Sequence, residues 1–437
     1  MRVTAALLLL FLSADPLAPA QQRTRSDQVL RVLTLVKITV AGLAHYKEVD
    51  VVAASGLRAG TRVTSDDLQA ASDRLGATGV FATIEYRFIG VPTGVSVVFK
   101  VRETADTIPA VFDNFVWFSR EELIRQIHAA VPLFNGTLPV AGDLQQQVRS
   151  ALERVLAARG IPGQVMLLPE AELGGAVRGI IYRAEGAQVI IASAQLEGVQ
   201  QLDPAPLQEI AKRLTGQAYL YTFLRDFPVN NFRPLYFKQG YLDVAFDDLR
   251  TTVSAREGSR TSVAVAFPVR EGRQFRFAGI AWIGNTMFSA DELSQKIELK
   301  PGQPADAIKL EYDLGKVRGL YGSRGYMGVK LDPKPVLGAT GDARFEVTVT
   351  EGDVFHMGSL EVLAPDLDLT TRERLRSAWK IRASAVYDSN YKKQYMADSR
   401  PLLPRGSTWE FTFREEMDDK NKVVNVTILM KPAGQPN

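Results

Sequence analysis

A motif of about 80 residues, repeated along almost the whole chain, limits the fold before any single residue is weighed. It is plainest between Phe277 and Gly358. There an apolar strand pattern leads to Ser289-x-x-Glu292, a Lys300-Pro301-Gly302 turn, a helical stripe, Arg324-Gly325-Tyr326 and two strands closing at Glu351-Gly352. Similar closings occur at Arg102-Glu103, Glu185-Gly186 and Glu271-Gly272. Glu103, Glu185, Glu271 and Glu351 therefore stand 82, 86 and 80 residues apart. An apolar strand pattern follows each: Ile108–Val111, Val189–Ile191, Phe275–Ile280 and Phe355–Val362. Length alone suggests about three domains. The repeat argues instead for five units, at 34–105, 106–186, 187–273, 274–354 and 355–431, with a linker at 21–33 and a tail at 432–437.

The local chemistry of each repeat is legible. Ser289-x-x-Glu292, Ser119-x-x-Glu122 and Thr370-x-x-Glu373 have the form of capping boxes, in which a hydroxyl accepts from an orphan N–H and the Glu reaches back. Asp203-Pro204 offers an N-cap with proline at the first helical position, and Thr64 or Asp66 can cap in the first repeat. Turns at Gly60, Gly216 and Gly302 end a first helix by supplying a positive φ. A second helix then buries stripes such as Leu144/Val148/Leu152/Leu156 and Leu310/Leu314/Val317/Tyr321. It ends at Gly79, Gly160, Gly240 and Gly325, each expected in the left-handed conformation. Alternating pairs of strands close the units, as in Phe345-x-Val347-x-Val349, Val263-x-Val265-x-Phe267 and Val95-x-Val97-x-Phe99. The expected unit is β-α-α-β-β: α+β, with a three-stranded mixed sheet covered on one face by two helices.

The N-terminus predicts a compartment. Met1-Arg2, the apolar run Ala5–Leu12 and Ala18-Pro19-Ala20 have the form of a secretory signal peptide over 1–20, with cleavage leaving Gln21 first. The net charge is +3 from 52 basic and 49 acidic side chains, which gives no argument for nucleic acid. With no cysteine, an exported chain is held by its cores alone and has no thiolate metal site. The histidines, His45, His128 and His356, lie in different repeats and have no ligand spacing. Glu415-Glu416 with Asp418-Asp419 lacks the form of a calcium loop and reads as a solvated hairpin tip. Phosphate loops and Gly-x-Ser-x-Gly are absent, so no enzyme, cofactor or small-molecule substrate is expected.

The β-α-α-β-β order, Ile283-Gly284-Asn285, Arg324-Gly325-Tyr326 and Glu351-Gly352 resemble POTRA (polypeptide-transport-associated) domains. These form the periplasmic arm of outer-membrane β-barrel assembly proteins of the surface-antigen family. The fifth repeat departs from the pattern, with Arg382-Ala383-Ser384 in place of the inter-helix glycine and Arg400-Pro401 in place of Gly-Tyr. After Met430 only Lys431–Asn437 remain, too few for a barrel. The expectation is an array without a barrel, or one from which the barrel has been removed.

The resemblance implies a periplasmic array associated with the outer membrane through a partner. It would assist protein assembly or secretion by binding unfolded outer-membrane proteins, or a membrane-barrel partner, through strand addition at open sheet edges. It also implies that the strand after Gly-Tyr lies at an edge. Candidate residues are Thr83 and Glu85; Leu242, Val244 and Phe246; and Tyr326, Met327, Gly328, Val329 and Lys330. Gly79, Gly240, Gly325, Gly284 and Gly302 are expected to be structural. The alternative is a rigid spacer that binds no client.

Overall fold

The computed structural model describes residues 32–171, 174–404 and 406–433. The proposed signal peptide, most of the linker and the end of the tail lie outside them.

The element order passes five times through the same cycle. The first pass is β1 (Leu33–Ala41), α1 (Glu48–Ser55), β2 (Arg62–Val63), α2 (Ser65–Ala77), β3 (Phe81–Val91) and β4 (Gly94–Glu103). The second is β5 (Thr107–Phe112), α3 (Arg120–Ala130), β6 (Thr137–Pro139), α4 (Leu144–Ala158), β7 (Gln164–Ala171) and β8 (Val177–Glu185). The third is β9 (Gln188–Glu197), α5 (Pro204–Lys212), three short helices α6 (Tyr221–Leu224), α7 (Phe227–Asn231) and α8 (Arg233–Lys238), then β10 (Ala245–Phe246), β11 (Arg250–Glu257) and β12 (Arg260–Arg270). The fourth is β13 (Arg276–Ile283), α9 (Ala290–Ser294), α10 (Ala307–Gly322), β14 (Lys330–Leu337) and β15 (Asp342–Thr350). The fifth is β16 (His356–Leu363), α11 (Leu369–Ala378), α12 (Tyr391–Ser399), β17 (Trp409–Asp418) and β18 (Val423–Pro432). The chain divides into two compact units. One ends at Tyr182; the other runs from Arg183 and includes Phe112–Phe118 and Ile161–Gln164.

Each sheet places the last strand of the cycle in the middle. β15 pairs in parallel with β13 and antiparallel with β14, and β18 does the same between β16 and β17. The parallel pair needs a long crossover, which the two helices supply. Sheets one and two gain a short fourth strand, β2 or β6, beside the first strand. Arg276↔Pro304 and His356↔Val386 are single-bridge versions of that pairing. The three-stranded expectation thus holds as a core with a stub at one side.

The second-helix stripes face inward. Leu144, Val148, Leu152 and Leu156 are fully buried, as are Leu314, Val317 and Tyr321. Each such side chain contributes about 1.5–3 kcal/mol by leaving water. The third repeat departs from the expected single second helix. Pro228 and Pro234 each enter near the start of a new short helix, because a proline inside one continuous helix would lose an N–H and clash with the preceding turn.

Three caps differ in detail from the sequence reading. Thr64 forms a full capping box with Asp67, but on the second helix of its repeat. Ser289 and Glu292 form the box as expected, whereas Ser119 accepts from Glu122 without the return bond. In the fifth repeat Asp368, not Thr370, caps α11 by accepting from Thr371. An aspartate carboxylate two residues earlier takes the N-cap place from the threonine hydroxyl.

The inter-helix glycines share one bond. Gly60, Gly216 and Gly302 have φ of 87°, 83° and 86°, and their N–H groups donate to Leu35, Ile191 and Phe277 of the first strand. Ser384 fills that place in the fifth repeat. It takes φ 65° and donates to Met357 in the same way. The cycle therefore survives loss of the glycine, at the strain of a left-handed serine.

Candidate polypeptide-binding edges

The segment after Gly-Tyr is not an edge strand in the fourth repeat. Tyr326–Val329 forms a turn, and β14 begins at Lys330. Tyr326 donates its N–H to Tyr321, and Gly325 accepts at 2.8 Å from Phe355, in the next repeat. Tyr326 and Val329 pack on the fourth core, while Met327 packs on the fifth. The third repeat repeats the arrangement. Gly240 accepts from Phe275 at 2.8 Å, Leu242 packs on the fourth core, and Val244 is buried in the third. Of the candidates there, Phe246 alone is in a strand, β10. These side chains join consecutive cores, which is why the strands start later than the alternation suggested. A Cβ on Gly325, whose φ is 83°, would lie 2.7 Å from the Phe355 carbonyl oxygen. Gly79 has φ 76°, and its Cβ would collide with the Ala141 carbonyl.

Thr83 and Glu85 do lie in an edge strand, β3, and are exposed. Register decides which backbone groups there are open. Thr104 donates to Val80, and a bulge sets Thr83 opposite Arg102. Alternation then turns the backbone of Glu85, Arg87 and Ile89 toward β4, and that of Ile84, Tyr86, Phe88 and Gly90 outward. None of the four is proline. Phe88 and Ile89 are 56% and 51% exposed.

The topologically matching edge is β14. Gly338 donates to Asp342 at 2.7 Å, which fixes Gly338 and every second residue before it as the paired set. Leu331, Pro333, Pro335 and Leu337 therefore face out, and two of these four positions carry no N–H. Lys330, the remaining candidate in this strand, points its backbone inward, to Thr350.

The closing glutamates carry a role that the sequence reading passed over. Glu351 accepts from the N–H groups of Thr286 and Met287 at 2.7 and 2.8 Å, from the Thr286 hydroxyl, and from the Tyr321 hydroxyl at 2.9 Å. Glu271 accepts from Gln200, Gln201 and the Tyr236 hydroxyl. Glu103 accepts from Ala44, His45 and Tyr46, and its carboxylate meets the His45 ring. In each case the last strand holds the loop after the first. Gly284, with φ 85°, permits the approach: its Cβ would stand 2.7 Å from the Val349 carbonyl oxygen. Burial opposes ionisation of Glu351, but the four donated bonds outweigh it and lower its pKa to about 2. The signal available in sequence was the recurrence of Glu at each closing. The second repeat reverses the device: Asn114, in the loop, exchanges bonds of 2.9 and 2.8 Å with the Ala184 backbone.

Residues 275–352 match the profile of the POTRA family, described as surface antigen variable number repeat. The match falls on the fourth repeat. The chain is also 26% identical over 240 residues to a protein of Treponema pallidum (strain Nichols) provisionally described as an outer membrane protein assembly factor. That match takes in 52% of this chain and 28% of the relative. Among solved structures, POTRA3-5 of Haemophilus influenzae BamA aligns at 18% identity with a TM-score of 0.39, covering 56% of this chain and 96% of that one. POTRA1-3 of Omp85 from Anabaena aligns at 14% identity with a TM-score of 0.19, covering 74% and 97%. Among the described residues no helix is long and apolar enough to cross a membrane, and the sheets are open, with three or four strands each.

Proposed function

We propose that this chain is a non-catalytic, periplasmic polypeptide-binding array. It assists outer-membrane protein assembly or secretion, and its ligands are unfolded outer-membrane proteins or a membrane-barrel partner. Its five repeats act as separate modules with the boundaries given above. The POTRA match and the description of the Treponema relative support the setting. The observation that carries the binding role is β3, an 11-residue edge whose four outward N–H groups are all intact, beside an exposed Phe88. An extended chain added there gains a ladder of main-chain bonds with little dependence on sequence.

The experiment compares proline at neighbouring positions. Phe88→Pro removes an outward donor, with Phe88→Ala controlling for the side chain. Arg87→Pro removes one that pairs with β4. The full chain is titrated with a peptide copying one strand of an outer-membrane barrel, and each variant is melted. Phe88→Pro is expected to fold and to lose about tenfold or more in affinity. Arg87→Pro is expected to lose about 1–3 kcal/mol of stability. A folded Phe88→Pro that binds like Phe88→Ala removes β3 from the mechanism. A spacer role fits the fourth repeat better, because Pro333 and Pro335 interrupt its outward ladder.

A further inference from the structure

A second surface, independent of any strand edge, lies between α10 and the start of α12. It is a groove of about 700 Å³ lined by Tyr312, Gly315, Gly319 and Leu320 from α10 and by Asn390 and Lys393 from the other side, together with Lys296, Glu311, Lys316 and Ser323. Asn390 donates to the Gly319 carbonyl at 2.8 Å and fixes one end of it.

Two features of this groove have no partner among the described residues. The first is Gly315. A glycine in a helix interior is unfavourable relative to alanine, and Gly322, in the same helix, has a packing reason, since a Cβ there would collide with Ser389. A Cβ on Gly315 would meet nothing within 4 Å. Tyr312 stands one turn before it and is 68% exposed. The second feature is charge. Glu311 is held by Arg318 at 2.7 Å, and Lys316 by Glu298 at 2.5 Å and Asp313 at 2.7 Å. Lys296 and Lys393 are exposed and enter no ion pair among the described residues. The groove therefore presents bare glycine backbone at Gly315 beside Tyr312 and Leu320, with two lysines that form no ion pair among the described residues.

We propose that this groove docks an acidic amphipathic helix of a partner protein. The floor lets a helix backbone come close at Gly315, its apolar face covers Tyr312 and Leu320, and its carboxylates meet Lys296 and Lys393. No strand lines the groove, so strand addition is not available there. Its concavity suits a rod better than a bilayer surface.

The test titrates the full chain with a labelled, helix-stapled peptide carrying a leucine and alanine stripe flanked by glutamates. The same peptide with lysines for glutamates serves as comparison, beside phosphatidylglycerol vesicles. Gly315→Leu fills the floor and is expected to leave the melting temperature equal or higher while weakening the acidic peptide by about tenfold or more. Lys296→Glu with Lys393→Glu is expected to weaken it by about three- to tenfold and to flatten its salt dependence. The proposal is overturned if the acidic peptide does not bind at low salt, if the lysine peptide binds equally, or if Gly315→Leu binds as the parent does. Lysine-dependent vesicle binding that Gly315→Leu does not alter assigns the surface to a membrane and also overturns it. None of these readouts involves β3, so failure here leaves the strand-edge proposal standing.

Discussion

β3 and β14 occupy the same place in their sheets, outermost and antiparallel to the central strand. Their free sides are opposite in kind. β3 presents four consecutive outward donors beside exposed Phe88 and Ile89, while β14 loses two of four to Pro333 and Pro335 and is flanked by exposed Asp332 and Lys334. Proline and charge on an edge are the usual protection against pairing with another chain. The contrast teaches that topology decides where an edge lies, whereas a few side chains decide whether it can be used.

The comparison breaks most sharply at the corners that lead into the two strands. Gly79→Val and Gly325→Val each force a β-branched residue into positive φ against a carbonyl of the following repeat. Each should lower stability by about 2–4 kcal/mol. Two-transition melts should place the loss of Gly79→Val in the first unit and that of Gly325→Val in the second. Equal tolerance of valine at both would remove the corner as a shared element.

A smaller and opposite change should convert one edge into the other. Pro333→Val with Pro335→Val restores two outward donors to β14 and should alter stability by no more than about 1 kcal/mol. Binding of the barrel-strand peptide, or self-association seen by sedimentation, should rise by about tenfold. A variant that folds and stays inert would mean that exposed Phe88, not the open ladder, sets β3 apart.

The smallest effect is one the two sheets share. β4 and β15, the partners of β3 and β14, both end in a clamp glutamate whose pKa lies below the ordinary value. A carboxylate with a lowered folded pKa stabilises above its unfolded value and loses that contribution as pH falls. For Glu351 the loss should run from about pH 4.5 down to about 2. Urea midpoints followed across this range should fall, and Glu351→Gln should flatten the fall in the second unit. An unchanged slope would remove the clamp from the acid response.

Much of the fold was legible because glycine and capping residues act locally. Gly79, Gly240, Gly302 and Gly325 all take the positive φ expected of them, and Gly284, expected only to be structural, takes it as well. The fifth repeat was harder to read, since Ser384 does by strain what glycine does freely, and Asp368 caps in place of Thr370. The candidate edges were only half legible. Alternation identifies a strand but not where it starts, and Leu242, Tyr326, Met327 and Val329 look like strand residues while belonging to the packing between cores. Which backbone groups point outward depends on bulges and hairpin bonds, such as the one at Gly338, that no periodicity reveals.

The central position of the last strand also bears on timing. Leu35 finds its partner Val95, and Phe277 its partner Ala343, only after some sixty residues have intervened. Closing so long a loop costs more entropy than pairing neighbours in a hairpin. A chain that emerges N-terminus first therefore cannot complete any sheet until almost the whole of that repeat is out. Until then its first strand is open on the side that the last strand will fill, with only a short stub such as β2 or β6 on the other. Synthesis would thus advance the fold in steps of one repeat, each closed when its final strand arrives and, in the first, third and fourth repeats, when a glutamate reaches back to the loop after the first strand.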